Sequence, residues 1–522
     1  MPGPDEFEMP LIRSLRRFRR DHRGNVALTF ALLAVPLTFM VGMGLDIANA
    51  TRIKLALQDA TDSSAIGLAR QASAIADSAI ASTAKSYIQA SYNDTTDITI
   101  TSATIDRDTI TATVDARADV PVFFSQLLGK TSIPVSAHAV AKGMLLEIAL
   151  VLDTSGSMAQ SAGSGGSKIS ALRTAGDSFL DAMFGAQTTS QRVKVSVVPF
   201  AASVNVGSGN SGAAWMDTGS ASSLAYEDFN GTTKSRWQLF ADLNNTSWKG
   251  CVISRPSVSN LDVNDTAPTS GDTLFVPWFA PDEPDGDNGA YDTGSFSNNY
   301  LNDEGGNCTG TDKTVLVADS VKQSRVCKYR NVTPSGGSPN YLCDSNPITP
   351  LTDTRTTLDP AISSLQANGN TNILEGLMWG WRSISPGAPF TEGKAYTAPN
   401  NRKVIVMMTD GENNLNGASN FDHSSYSSYG YAIKGRVGTT SSNNTTLTTA
   451  LNTRTELACD NAKAQGILIY SIALGASASG SAALLQNCAS DPTYYYAPQN
   501  SSDLVPVFKK IAQSINSLRI AQ

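Results

Sequence analysis

Five side chains in three separated stretches of the sequence offer oxygen atoms in a pattern that suits a hard divalent cation. Asp153, Ser155 and Ser157 stand in Asp153-Thr154-Ser155-Gly156-Ser157-Met158, Thr371 in Gly369-Asn370-Thr371-Asn372-Ile373, and Asp410 in Met408-Thr409-Asp410-Gly411-Glu412. Mg²⁺ or Mn²⁺ takes oxygen ligands in near-octahedral geometry, at roughly 2.0–2.1 Å for Mg²⁺, and keeps several waters. Two carboxylates match a doubly charged ion. Three hydroxyls extend the shell without over-neutralising it, so the ion can still accept a carboxylate from elsewhere. A lone D-x-S-x-S also reads as a Ser/Gly turn closed by an Asx hydrogen bond; the combination with Thr371 and Asp410 is what points to a cation. Binding suits these residues better than catalysis. His423 is the only histidine after Gly143, and no G-x-S-x-G nucleophile elbow occurs.

The elements that must gather these loops are legible as apolar runs. LLEIALVL (Leu145 to Leu152) leads into Asp153, and VIVMM (Val404 to Met408) leads towards Asp410; VKVSVVPF (Val193 to Phe200), ILIYSIAL (Ile467 to Leu474) and TYYYA (Thr493 to Ala497) are further strands. Ile169, Leu172, Gly176, Phe179 and Met183 mark one face of a helix, and others surround Leu457, Leu485 and Phe508. This alternation predicts an α/β fold over residues 145–522, with a doubly wound, mostly parallel sheet. Ligands of such sheets bind beyond the carboxyl ends of the strands at the switch point. Residues 207–353 interrupt the pattern, hold four of the six Trp and are rich in Asn, Ser, Gly and Asp. A stretch this long predicts an inserted accessory subdomain with its own aromatic cluster.

All six cysteines lie in the second half and none forms a C-x-x-C pair. An even count suits disulfides outside the cytosol, whereas zinc would need short ligand spacings that are missing. Two bridges among Cys251, Cys308, Cys327 and Cys343 would staple the insertion. A third, Cys459 to Cys488, would join neighbouring helices. Three other features receive plain readings. Ser161 to Lys168 (SAGSGGSK) lacks the Gly-Lys-Ser/Thr of a phosphate loop and reads as a helix-entry loop. Asp282, Glu283, Asp285, Asp287 and Asp292 do not match an EF-hand and read as a solvated acidic loop. Tyr426 to Tyr431 reads as an exposed polar loop.

Val26 to Leu45 is 20 residues without a charge, enough at about 1.5 Å per residue to cross a hydrocarbon core of roughly 30 Å. Arg13, Arg16, Arg17, Arg19, Arg20 and Arg23 precede it and the next basic residue is Arg52, which places the N-terminus in the cytoplasm and the remainder outside. Ala48-Asn49-Ala50 leaves a cleaved signal peptide open, although the run exceeds the usual ~7–15 apolar residues. The expected segments are a basic cytoplasmic stretch 1–25, a transmembrane helix 26–45 that Pro36 kinks, and a stalk 46–144. That stalk would hold a helix to about Tyr92 with Ile53, Leu57, Leu68, Ile75 and Ala79 on one face. Strands would follow around Ile98 and Ile100, Ile110 to Ala116, and Val135 to Ala139. With 39 Lys plus Arg against 46 Asp plus Glu, net charge −7, no nucleic-acid partner is expected.

Two resemblances add to this. HRGNVALTFALLAVP followed by GLDIANATRIKLALQDATDSSAIGLA is similar to the N-terminal segment of TadG-like proteins of the tight-adherence (Flp) pilus system. Thr29 stands five residues after Gly24, where type IV prepilins have Glu, so prepilin processing is not implied. The ordered D-x-S-x-S, G-N-T-N-I and T-D-G stretches resemble the metal-ion-dependent adhesion site of von Willebrand factor A domains. That resemblance implies direct ligation by Ser155 and Ser157, with Thr371, Asp153 and Asp410 bound directly or through water. Together they imply a non-enzymatic protein of the bacterial inner membrane, single-pass, with its C-terminal domain periplasmic or at the cell surface. Its partners would be pilus-assembly components or a protein or surface ligand offering a carboxylate. The alternative is a structural envelope component whose metal site only stabilises the fold.

Overall fold

Strands buried on both faces read as nearly continuous apolar runs, and the central strands of the computed structural model are of this kind. The structure describes residues 24–72, 75–107, 110–161, 166–286, 295–475 and 480–517. The basic stretch before Gly24, with its six arginines, and the acidic residues Asp287 and Asp292 therefore lie outside the described residues. The chain divides into two units, Met1–Gly143 and Met144–Gln522.

In the first unit, α1 (Gly24–Arg70) runs through Pro36 as one continuous helix, long and apolar enough in its first half to cross a membrane. The expected continuation to Tyr92 is overturned. The chain turns back after Arg70 into α2 (Ile80–Ser91), because a straight helix would leave Ile75, Ile80 and Ile88 in solvent. Folding back buries all three. Gly67 makes room for the Tyr87 ring, and Ser64 donates to the Ala84 carbonyl at 3.0 Å. Strands β1 (Ile98–Asp106), β2 (Thr111–Pro121) and β3 (Ser132–Lys142) form an antiparallel sheet in that order. Ala112, Val114, Ala116 and Ala118 of β2 alternate inward onto the α1 face that carries Ile53, Leu57 and Leu68.

In the second unit a six-stranded sheet has the order β6-β5-β4-β7-β8-β9. Its strands are β4 (Leu145–Asp153), β5 (Val193–Phe200), β6 (Thr349–Thr352), β7 (Asn401–Thr409), β8 (Leu468–Ala473) and β9 (Tyr495–Tyr496). All pairings are parallel except that of β6 with β5. This is the doubly wound, mostly parallel sheet expected from the sequence. The chain leaves β4 towards β5 and β6 and later resumes at β7 on the other side, so the switch point lies between β4 and β7. Leu146, Ile148, Leu150 and Leu152 face one core with α3 (Lys168–Phe184) and α10 (Leu504–Ser517), while Ala149 and Val151 face the other. The second core holds α7 (Ile373–Ile384), α8 (Asn444–Ala464) and α9 (Gly480–Cys488); α4 (Arg236–Asp242), α5 (Asp319–Ser324) and α6 (Arg355–Ser363) are further helices.

Every residue of α7 is buried. Two glycines one turn apart allow it to lie this close to the sheet: a Cβ on Gly376 would stand 2.5 Å from the Phe200 ring, and one on Gly380 2.3 Å from Val151 Cγ2. Gly380→Ala would gain up to ~1 kcal/mol of helix propensity but overpack a stiff β-branched neighbour at a cost of about 1–3 kcal/mol. The expected result is a lower urea midpoint with an unchanged m-value.

The insertion differs from expectation in three ways. Its aromatic residues do not stand apart: Trp215, Phe229, Phe275 and Phe279 belong to the same core as Trp379 of α7. Its last residues form β6, whose short Thr-Pro-Leu-Thr sequence gave no strand signal. Asp282 and Glu283 are buried rather than solvated. Lys328 lies 2.7 Å from both Asp282 and Asp303, and Asp285 accepts from the Asp303 N–H at 2.9 Å. The tyrosine loop is likewise buried. Tyr426 receives a bond from Arg236, Tyr429 donates to Asp262 and Tyr431 to Glu283, which sews the stretch after β7 to the insertion. The disulfides are Cys251–Cys343, Cys308–Cys327 and Cys459–Cys488, the last joining α8 to α9.

Candidate metal centre

Asp153 is the last residue of β4, and its carboxylate organises the loop beyond it. Oδ1 accepts the Ser155 N–H at 2.7 Å, and Oδ2 accepts the Thr409 hydroxyl from the end of β7 at 2.5 Å. The Asx turn that could have stood alone is thus present and also tied to the neighbouring strand. Ser155 Oγ and Ser157 Oγ are 3.0 Å apart, and Ser157 donates to Asp410 Oδ1 at 2.5 Å. Asp153, Ser155, Ser157 and Asp410 are therefore joined by direct contacts across 253 positions of sequence.

Thr371 arrives from the loop that opens α7. Gly156 N–H donates to the Gly369 carbonyl and Asn414 N–H to the Thr371 carbonyl, both at 2.8 Å, so this loop is held between the other two. Asn372 caps α7 by accepting the Glu375 N–H at 3.2 Å. A Cβ on Gly411 would lie 3.3 Å from Thr371 Oγ1 and 3.7 Å from Ser157 Oγ. The two hydroxyls thus approach the same glycine, which a larger residue would crowd. Ser157, Thr371 and Gly411 form one wall of an open cleft of about 540 Å³, with Asn444, Thr448 and Asn452 of α8 on the other.

Asp153 and Ser155 are buried, and the Asp410 side chain has no solvent exposure. Burial, and then the Asp410 charge, push the Asp153 carboxyl up to about 6. Lys168, the first residue of α3, places Nζ 2.6 Å from Asp410 Oδ2. One ammonium thus faces two buried carboxylates. This donor set fits a hard divalent cation: all oxygen, two carboxylates whose charge is only half matched, and hydroxyls beside them. Among the described residues no three His, Cys, Asp or Glu gather as a metal cluster, so the hydroxyls are essential to the fit.

The sequence reading missed Lys168 and Thr409. Ser167 and Lys168 do form the helix entry expected of SAGSGGSK, with Ser167 as its cap; Ala162 to Gly165 lie outside the described residues. The lysine's contact with Asp410 has no local signal. Thr409 could have been found, since a hydroxyl beside the strand-end Asp410 faces the adjacent strand end.

Residues 24–70 match the family model described as putative Flp pilus-assembly TadE/G-like. This N-terminal segment is similar to that family. The TadE/G-like segment coincides with α1. No curated protein is similar enough to the chain to match. Among solved structures the chain is similar to the vWF domain of the type V pili tip protein Mfa5 from Porphyromonas gingivalis, at 11% identity and TM-score 0.33, covering 73% of this chain and 98% of that one. It is also similar to the pilus adhesin SpaC from Lactobacillus rhamnosus GG, at 12% identity and TM-score 0.30, covering 81% of this chain and 34% of that one. A third is proximal thread matrix protein 1 from the mussel byssus with a zinc-occupied MIDAS motif, at 12% identity and TM-score 0.27, covering 71% and 46%. At these values the fold rests on the strand order and pairing of the sheet itself.

Proposed function

We propose that this chain is a membrane-anchored, exported, metal-dependent binding protein, in which Asp153, Ser155, Ser157, Thr371 and Asp410 hold Mg²⁺ or Mn²⁺ for the capture of an acidic side chain on a protein or surface ligand. The observation that carries the reading is the meeting of three distant loops at the switch point, where Ser155, Ser157 and Asp410 are in side-chain contact and the Thr371 loop is held beside them through its backbone. The TadE/G-like segment supports a place in pilus assembly or pilus-related attachment. The uncharged run after the N-terminal arginines supports a single-pass anchor over 26–45, followed by a stalk and by the sheet domain from 145 onward. Three disulfides support export of that domain.

The bound cation supplies an electrophilic coordination position for the ligand carboxylate. The protein's part is positional. Thr409 and the Ser155 N–H hold Asp153 in one orientation, the Gly369 carbonyl fixes the turn at Gly156, and Lys168 balances the Asp410 charge. The open cleft beside Thr371 gives a side chain access. A second reading has its own support: Asp153 is wholly buried and already ties β4 to β7, so a cation there could serve the fold alone.

Calorimetry of the detergent-solubilised full chain with Mg²⁺ and Mn²⁺ tests the site; absence of binding by both would sink the proposal. Chelation separates the two readings. If attachment of cells producing the chain falls with EDTA and returns with Mg²⁺, the ion serves binding. A large drop in melting temperature with attachment intact assigns it to the fold.

A further inference from the structure

The loop between β2 and β3 is fastened to α1 at two points one helical turn apart. The Phe124 ring fills the notch at Gly42, where a Cβ would stand 2.4 Å from it. One turn on, Asp46 accepts N–H bonds from Phe123 and Phe124 at 3.0 Å and from Ser125 at 2.7 Å, and a hydroxyl bond from Ser125 at 2.8 Å. Gly42 lies inside the uncharged run that ends at Leu45, only about 4–5 Å along the helix from its end. A loop held at that level stands where hydrocarbon gives way to headgroups.

Its outward side chains suit that place. Phe123, Leu127 and Leu128 are 79%, 73% and 62% exposed, and Leu45, which closes the helix's apolar run, is itself 59% exposed. Water-facing loops seldom gather bare large apolar groups in one patch. Asp46, the first charge after the run, has its carboxylate satisfied by the loop's own donors, which lowers the cost of holding it beside hydrocarbon. Gly129, left-handed at φ 79°, ends the turn and leads to exposed Lys130, whose long stem can reach lipid phosphates.

We propose that Val122 to Lys130 is a second membrane-contacting element, with Phe123, Leu127 and Leu128 seated in the lipid boundary beside the outer end of the spanning helix and Lys130 at the phosphates. The proposal rests on α1 being a spanning anchor, and it adds a fixed depth and rotation for the stalk. The occupant is lipid, because the patch is fastened within the helix's own apolar run.

The test uses the full chain in phosphatidylcholine/phosphatidylglycerol vesicles with and without brominated lipid. All six cysteines are in disulfides, so an environment-sensitive dye can be attached at one added thiol: Leu127→Cys, Leu33→Cys in the helix, or Thr104→Cys at the far end of the sheet. The dye at Leu127 should be blue-shifted and quenched several-fold more than at Thr104, as should the dye at Leu33. Quenching at Leu33 with a water-exposed Leu127 would overturn the loop's role and leave the anchor standing. No quenching at Leu33 would overturn the anchor. A dye at Leu127 shielded from water yet not quenched by lipid would assign the patch to a protein surface instead.

Discussion

Asp410→Ala is expected to lower Mg²⁺ or Mn²⁺ affinity by about a hundredfold or more, on the order of 3 kcal/mol, with the fold retained. The loss exceeds that of one ligand because Asp410 is also what Lys168 pairs with, at 2.6 Å. Without it the ammonium remains beside the site and repels the incoming ion. Lys168→Met in the same titration should tighten binding, since it removes the charge that the cation has to displace. Unchanged affinity in Asp410→Ala would mean that this carboxylate is no ligand.

The same site predicts a pH dependence. Asp153 is raised to about 6 from its ordinary 3.8, so between those values the cation-free fold holds a proton that the unfolded chain has released. Its stability therefore grows as pH falls through 6 and is lost as pH rises through 6, a swing of roughly 2–4 kcal/mol. The cation needs the carboxylate, so its affinity runs the opposite way. Mg²⁺ should raise the melting temperature clearly at pH 7.5 and little at pH 5. Equal shifts at both values would separate Asp153 from the ion.

Removing the Cys251–Cys343 bridge, as Cys251→Ala with Cys343→Ala, should cost the second unit about 4–5 kcal/mol, because the bridge closes a loop of sequence separation 92 and long loops gain most from closure. The bridge lies among Trp278, Tyr426 and Tyr431, so its loss also loosens the contact between insertion and tyrosine loop. Cys308–Cys327 spans only 19, and its removal should cost about 3 kcal/mol. Denaturant midpoints of the two double variants would rank them. An equal or reversed order would show that folded-state packing at Cys308–Cys327 outweighs loop length.

Legibility in the sequence followed burial. Strands β4, β5, β7 and β8 announce themselves because both their faces are covered, so that apolar residues dominate each run and the few polar ones, such as Glu147 beside Lys403, are paired inside. β6 is a four-residue edge strand containing Pro350, and nothing in its composition separates it from a loop. The candidate ligands could be picked out because Asp153 and Asp410 each follow a core strand, and a doubly wound sheet brings such ends together. Lys168 could not, since its partner lies 242 positions away. Asp282 and Tyr426 to Tyr431 were misread for one reason: their polar groups suggest solvent, but Lys328, Arg236 and Asp262 satisfy them internally. Polarity in sequence reports the need for a partner, not whether that partner is water.

The unbroken course of α1 has a mechanical corollary. Its apolar half and the half carrying Ile53, Leu57 and Leu68 belong to one helix with no loop between them. A pull on the small sheet that packs on its second half would reach the first half through helix rather than through a flexible linker.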